Sequence, residues 1–386
     1  MPKSKLIRIT TVPLSLEKLL EDQLQFMSQY YDVTAVSSDK ERLERYGKAE
    51  GVAVSHLELT RKITPLKDIS AVYKLYKFLR NEKPLIVHTH TPKAGIVGMM
   101  ASYFAKVPLR MHTVAGLPLM EATGVKRSIL NMVEKLTYKL ATHVYPNSKG
   151  LYDFIVAKRF TLPTKLKIIG NGSSNGIDTT YFDPNLYTKE NRVKTKEELK
   201  IPQDDFVFTF VGRMVKDKGI NELIAAFLKL NNLKKNCSLL LVGPLEEDLD
   251  PLNPETLEQI NTHKKIIAIG YQKDVRPFFA CSDALVFPSY REGFPNVVMQ
   301  AGAMNLPVIA TNINGCNEII TDYKNGLLIP TKNTAAVNEA MAKLLNDEDL
   351  YRKLTGNARE EIVSKYERKE ICEALLTEYR EQEAKL

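Results

Sequence analysis

Two short segments hold residue types that together suit a diphosphate bearing a sugar. The first, Val211-Gly212-Arg213-Met214-Val215-Lys216-Asp217-Lys218-Gly219, reads as a strand end, a turn and a helix start. Gly212 would let a ligand approach the backbone, while Arg213 and Lys218 would bring two cations to one rim, the charge that phosphate oxygens demand. Taken alone, the segment also reads as a solvated loop with incidental charges. The second, Ser289-Tyr290-Arg291-Glu292-Gly293-Phe294-Pro295-Asn296, follows the apolar run 284–288 and opens a helix over 297–304. Pro295 is a helix-start signal, and Gly293 exposes backbone N–H groups. A helix N-terminus next to Arg213 and Lys218 would form an anion site. Glu292 would then sit beside the anion, suited to hydrogen-bonding the hydroxyls of an attached sugar. Its plainer alternative is a charge that complements the helix dipole, for about 0.3–1 kcal/mol.

These segments need a frame that sets strand ends side by side, and the apolar pattern supplies one. Short β-like runs at 6–10, 32–37, 52–59, 85–89, 109–114, 143–146 and 166–169 alternate with helix-length amphipathic stretches such as 16–29, 69–79 and 126–140. A second series at 206–212, 238–243, 266–270, 284–288, 307–311 and 326–329 alternates with helices such as 219–230 and 335–345. Several runs are continuously apolar, as strands buried on both faces of a parallel sheet must be. The pattern predicts an α/β chain of two doubly wound Rossmann-like domains, facing across a cleft at the carboxyl ends of their strands. Residues 183–204 lose the apolar period and collect charge. The expected division is therefore a domain over 1–190, a linker over 191–204 and a second domain over 205–365. The stretch 366–386 puts Ile371, Leu375, Leu376 and Tyr379 on one helical face and reads as a closing helix, packing back on the first domain.

Composition agrees with this frame. With 386 residues, 44% of them hydrophobic, the chain can fill two cores, and 19 Gly, 19 Pro and 26% charged residues exclude a disordered or fibrous protein. The formal net charge of +8 is unevenly placed: residues 1–200 hold 32 basic and 19 acidic groups, the remainder 22 and 27. The four cysteines, Cys237, Cys281, Cys316 and Cys372, lie far apart without metal-ligand spacing, so neither a disulfide nor a zinc site is expected. No apolar signal-peptide core follows the first residues, and the apolar stretch 94–105 is too short for a membrane span. The expectation is a cytoplasmic chain that touches the inner face of a membrane.

In wording the chain resembles the family 4 glycosyltransferases of the GT-B fold, most of all the bacterial enzymes that extend capsular polysaccharide, O-antigen or other lipid-linked glycans. The resemblance rests on eight segments in order: THTPKAG (89–95), HTVAGLPLMEATG (112–124), GSSNGID (172–178), VGRMVKDKG (211–219), GYQKDV (270–275), PSYREGFPNVVMQAGAM (288–304), NLPVIATNINGCNEII (305–320) and NGLLIP (325–330). It implies that the first domain takes the acceptor and the second the nucleotide sugar. Arg213 and Lys218 match the pair that grips the donor diphosphate, and Glu292 matches the first of two glutamates, the one that contacts the donor sugar. Gly212, Gly270, Tyr271, Gly293 and Phe294 fall at donor-binding positions. Where the second glutamate belongs, the chain has Gln300, which can still bond a ribose hydroxyl but carries no charge. His112 is the candidate for the family's cleft histidine in one registration; another puts Ala115 there. Lys93, Asn175 and Gly176 are assigned to the acceptor side or the cleft. His88 and His90, alternating with Thr89 and Thr91, read as core for at least one of the two.

The implied reaction moves a hexosyl or N-acetylhexosaminyl group with retention, from a nucleoside diphosphate sugar, UDP by family usage, to a polyprenyl-diphosphate-linked acceptor. The electrostatic demand is then charge on the departing phosphate, which Arg213, Lys218 and the helix at Gly293 would meet without a metal. No pair of carboxylates of the kind a glycoside hydrolase needs stands out. Asp248-Leu249-Asp250 spells D-x-D, but its acidic surroundings favour a solvated charge run. Basic helices at 68–83 and 126–140, with the apolar loop Gly116-Leu117-Pro118-Leu119-Met120 between them, suit anionic lipid, although a core helix with a solvated lysine face reads nearly as well. No nucleic-acid module appears. Two other readings share the fold: a sugar-nucleotide 2-epimerase, and a noncatalytic nucleotide-sugar-binding partner.

Overall fold

The structure is a computed structural model that describes every residue except 1–2, 61–63, 118, 120–121, 235 and 247–249. The apolar runs pair into two six-stranded sheets. The first holds β1 (Lys5–Ile9), β2 (Asp32–Ser37), β3 (Ala53–His56), β4 (Ile86–His90), β5 (Leu109–Val114) and β6 (His143–Pro146), in the order β3-β2-β1-β4-β5-β6. The second holds β7 (Phe206–Val211), β8 (Cys237–Val242), β9 (Ile266–Ala268), β10 (Ala284–Phe287), β11 (Val308–Thr311) and β12 (Gly326–Ile329), in the order β12-β11-β10-β7-β8-β9. The strand pairings within both sheets are parallel. Each sheet winds outward from its first strand and then back from its fourth, so the order reverses between β1 and β4 and between β7 and β10. At such a switch point the loops leaving the two strands diverge and open a crevice at their carboxyl ends.

Contacts divide the chain into one unit of residues 1–175 with 368–386, and another of 176–367. The expected boundary near 190 is thus displaced: 176–190 belong with the second unit, and the expected linker contains a helix, Lys189–Glu198. Thr188 and Asn191 close a capping box at its start, so a segment without an apolar face is held by its cap. The terminal helix begins at Arg368, because Tyr366 still ends the preceding helix Glu348–Tyr366. It clusters with the first unit, where Leu375, Leu376 and Tyr379 join the core formed by Leu6, Leu24, Met27 and Val33.

Three local expectations change. The helix over 16–29 is two helices, Pro13–Leu19 and Gln23–Ser28, interrupted at Asp22, whose φ of 57° no α-helix accommodates. The run 166–169 adds no strand; Leu166 makes an isolated bridge to Val144 after a 3-10 turn at Pro163–Lys165. The run 52–59 pairs only over Ala53–His56. The stretch 94–105 falls almost wholly in the helix Pro92–Phe104, where Gly95 and Gly98 let the backbone lie close on the sheet: a Cβ on Gly98 would stand 2.4 Å from Thr89 Cγ2. No helix among the described residues is long and apolar enough to cross a membrane.

Candidate donor site at the carboxyl edge of the second sheet

The two segments rich in phosphate-binding residue types leave β7 and β10, the adjacent strands at the switch point of the second sheet. The first passes through Gly212 and a 3-10 turn, Lys216–Lys218, to Gly219, whose φ of 72° starts the helix Ile220–Leu233. Only glycine serves there, since a Cβ on Gly219 would stand 2.2 Å from the Pro288 carbonyl oxygen of the neighbouring loop. The loops are stitched by the Tyr290 N–H donating to Asp217 O at 2.8 Å and by Arg291 Nη2 donating to Asp217 Oδ2 at 2.7 Å. The Asp217 N–H donates to Asp250 Oδ2 at 2.7 Å.

This stitching brings Lys218 to Glu292. Lys218 Nζ donates to Glu292 Oε1 at 2.5 Å, with the two side chains 16% and 15% exposed. Mostly buried, the pair is screened less than a surface ion pair and keeps one edge to solvent. Glu292 and Gly293 are braced from behind by Asn314, whose Nδ2 donates to both carbonyl oxygens, at 3.1 and 2.8 Å. The helix Asn296–Ala303 follows, with Pro295 as its N-cap residue and Phe294 buried edge-on against Tyr366 at 5.4 Å. Its first-turn N–H groups point back along the axis toward that loop. Arg213 turns to Glu246, donating from Nη1 at 2.8 Å, so each of the two cations has a carboxylate partner. Gln300 lies half-buried in the second turn of the helix. Gly270 takes a φ of 67° just beyond β9, and its carbonyl oxygen accepts from the Gly243 N–H at 2.8 Å; Tyr271 beside it is exposed.

Sequence reasoning passed over Asn314, Gly315, Tyr290 and Glu222. Tyr290 Oη donates to Glu222 Oε1 at 2.6 Å and fastens the loop to the helix Ile220–Leu233. The Asn-Gly pair at 314–315 was a visible turn signal; what it braces was not. Of the D-x-D stretch, Asp248 and Leu249 lie outside the described residues, as do Pro118 and Met120 of the apolar loop. No cluster of three or more potential metal ligands occurs among the described residues.

In the first unit the candidates are engaged with their own fold. Lys93 opens the helix after β4, and its Nζ donates to Asp68 Oδ2 at 2.5 Å. Asn175 is buried, its Nδ2 donating to Glu21 O at 2.8 Å and its Oδ1 accepting from Gln23 Nε2 at 3.2 Å. Gly176, with φ of 63°, begins the second unit. His112 is 2% exposed, its Nδ1 lies 2.8 Å from Thr89 Oγ1, and burial lowers its pKa to about 4. At neutral pH it is a neutral imidazole packed where Gly95 leaves room for it.

Two family models match the chain: glycosyl transferases group 1 over residues 191–361, and a glycosyl transferase 4-like domain over 24–172. The capsular polysaccharide biosynthesis glycosyltransferase CapM of Staphylococcus aureus is 32% identical over 98% of this chain and 97% of its own. The chain belongs to the family 4 glycosyltransferases. A UDP-Gal:alpha-D-GlcNAc-diphosphoundecaprenol alpha-1,3-galactosyltransferase of Escherichia coli is 28% identical, covering 94% of this chain and 93% of that one. Among solved structures, Anabaena HepE, crystallised with UDP and glucose, superposes with a TM-score of 0.81 at 17% identity, covering 98% of this glycosyltransferase and all of HepE. That likeness carries the GT-B fold. Fold alone would not separate a transferase from a 2-epimerase; the family matches do, and the 2-epimerase alternative is set aside.

Proposed function

We propose that this glycosyltransferase moves a hexosyl or N-acetylhexosaminyl group from a UDP-sugar to a polyprenyl-diphosphate-linked glycan, with retention of configuration and without a metal, in bacterial surface polysaccharide assembly. The Lys218–Glu292 pair carries the reading: a cation and a sugar-binding carboxylate held together at the switch point, beside a helix N-terminus. As the donor enters, its diphosphate replaces Glu292 on Lys218 and Glu246 on Arg213. Glu292 then turns to the sugar hydroxyls. Charge developing on the departing phosphate oxygens is met by Lys218, Arg213 and the first-turn N–H groups, all fixed before the bond breaks. The departing phosphate oxygen takes the proton of the acceptor hydroxyl, and Glu292 orients the donor without acting as base. The donor and the lipid diphosphate named for the Escherichia coli relative, and the capsular role named for CapM, support the choice of substrates.

The acceptor's lipid anchor gives the exposed helices of the first unit a task. On Gly124–Leu140, Val125, Ile129, Met132 and Leu136 form an exposed apolar stripe at helical spacing, flanked by Lys126, Arg127, Lys135 and Lys139. On Pro65–Glu82, Leu66, Ile69 and Tyr73 are likewise exposed, among Lys67, Lys74, Lys77 and Arg80. Cations around apolar side chains suit the surface of an anionic bilayer.

The test incubates purified protein with labelled UDP- and GDP-sugars and with lipid-linked acceptors extracted from bacterial membranes. Sugar enters the lipid fraction with UDP-sugar, and Arg213→Ala, Lys218→Ala and Glu292→Ala each lower the rate at least 100-fold, about 3 kcal/mol of transition-state stabilisation. Retained nucleotide binding with no transfer across the panel would favour the noncatalytic partner instead.

A further inference from the structure

The first unit holds a buried arginine with no acid beside it. Arg8, in β1, is 0% exposed, and no carboxylate among the described residues forms an ion pair with it. Its Nη1 donates to Tyr379 Oη at 2.9 Å, and its Nη2 donates to Gln23 Oε1 and, at 2.9 Å, to His90 Nε2. A guanidinium only donates. His90 Nε2 therefore accepts, and the ring proton sits on Nδ1, a buried atom without a partner. In the other branch, His88 Nδ1 is the one acceptor that the described residues offer the Tyr379 hydroxyl. Tyr379, accepting from Arg8, gives its own proton to His88 Nδ1 at 2.6 Å; His88 Nε2 then donates to Thr113 Oγ1 at 2.7 Å, and the Thr113 hydroxyl proton is left over.

Both branches end in one place. His90 and Thr113 line a cavity of about 20 Å³ at the carboxyl edge of β4 and β5, shared with Gln23, Asn147 and Ser174. That is room for a single particle the size of a water molecule or a halide ion. Asn147 Oδ1 is also buried without a donor, while Asn147 Nδ2 donates to Ser174 Oγ at 3.3 Å. With the amide turned over, its oxygen accepts from Ser174 and its NH2 becomes a third donor to the cavity. Two chains of hydrogen bonds, each polarised by the same buried positive charge, thus present protons to a small space. A buried charge without a counter-charge is costly, and an anion here would relieve it.

We propose that this cavity binds one monovalent anion of halide size, held by His90 Nδ1–H and Thr113 Oγ1–H and balancing the charge of Arg8. Bromide is the probe. Crystals soaked in bromide should give an anomalous peak within hydrogen-bonding distance of both atoms; an ordered water there without anomalous signal would overturn the proposal. In solution, chloride should raise the thermal unfolding midpoint relative to gluconate at matched ionic strength. Thr113→Val keeps the side-chain shape and removes one donor, so it should abolish most of that shift. An equal chloride effect in Thr113→Val would also sink the idea, since a non-specific salt effect would survive the substitution.

Discussion

Glu134 sits on the helix Gly124–Leu140 with 4% of its surface exposed, and burial raises its carboxyl from 4.5 to about 7. A raised carboxyl binds its proton more tightly in the folded chain. Its contribution is complete below pH 4.5 and is lost as pH rises through 7. Glu134→Gln, which has no charge to bury, should therefore stabilise the protein more at pH 8 than at pH 5, by about 2 kcal/mol in urea unfolding. Equal effects at both pH values would mean that Glu134 ionises as an exposed acid does. His112 works in the opposite sense. Its value falls from 6.5 to about 4, so the unfolded chain takes up protons the folded one refuses, and stability drops as pH falls from 6.5 toward 4. His112→Gln should flatten the acid limb between those values, measured in the same way. Neither effect was legible in the sequence, where Glu134 is one acid in a basic helix and His112 one histidine near a strand end.

At the scale of elements, the turn carrying Asn314 and Gly315 decides whether Glu292 is held in place. Gly315 has φ of 77°, and a Cβ there would stand 2.3 Å from Gly293 O and 2.9 Å from Phe294 Cα. Gly315→Ala should cost about 1–3 kcal/mol of stability and weaken UDP binding at least tenfold, by thermal melt and titration calorimetry. Gly356 makes the matched control. It lies exposed in Glu348–Tyr366 with open space around it, so Gly356→Ala should stabilise by about 0.5–1 kcal/mol and leave UDP binding unchanged. The elements were the most readable part of the sequence, because a strand such as FVFTFV (Phe206–Val211), buried on both faces, announces itself by five hydrophobic residues in six. Short runs misled for the same reason: Leu166 and Ile169 are apolar because they pack, yet the run meets the sheet only through the isolated bridge from Leu166 to Val144. The loops after β7 and β10 could be read as chemistry, but their stitching through Asp217 and Asn314 joins residues tens of positions apart, which no local pattern records.

For the whole molecule, the uneven charge and the exposed stripe of the first unit predict binding to vesicles. The protein should float with liposomes containing anionic phospholipid, less so at high salt, and Met132→Glu should reduce the floated fraction several-fold while leaving soluble-donor binding intact. Indifference to lipid charge and to Met132→Glu would remove the docking proposal without touching the transferase reading. Two domains and a closing helix were legible; their border was not, since a capped helix of charged residues looks like a linker when only composition is read. The closing helix also bears on timing. Tyr379 supplies a partner to both Arg8 and His88, yet it is synthesised only after the whole of the second unit. At about 5–20 residues per second, the ribosome separates Arg8 from that partner by tens of seconds. Throughout that interval the nascent first unit carries an unfinished centre and an uncovered apolar face at Leu6, Leu24 and Met27. The half of the protein made first is the half completed last, and the whole second unit is synthesised before the first can close.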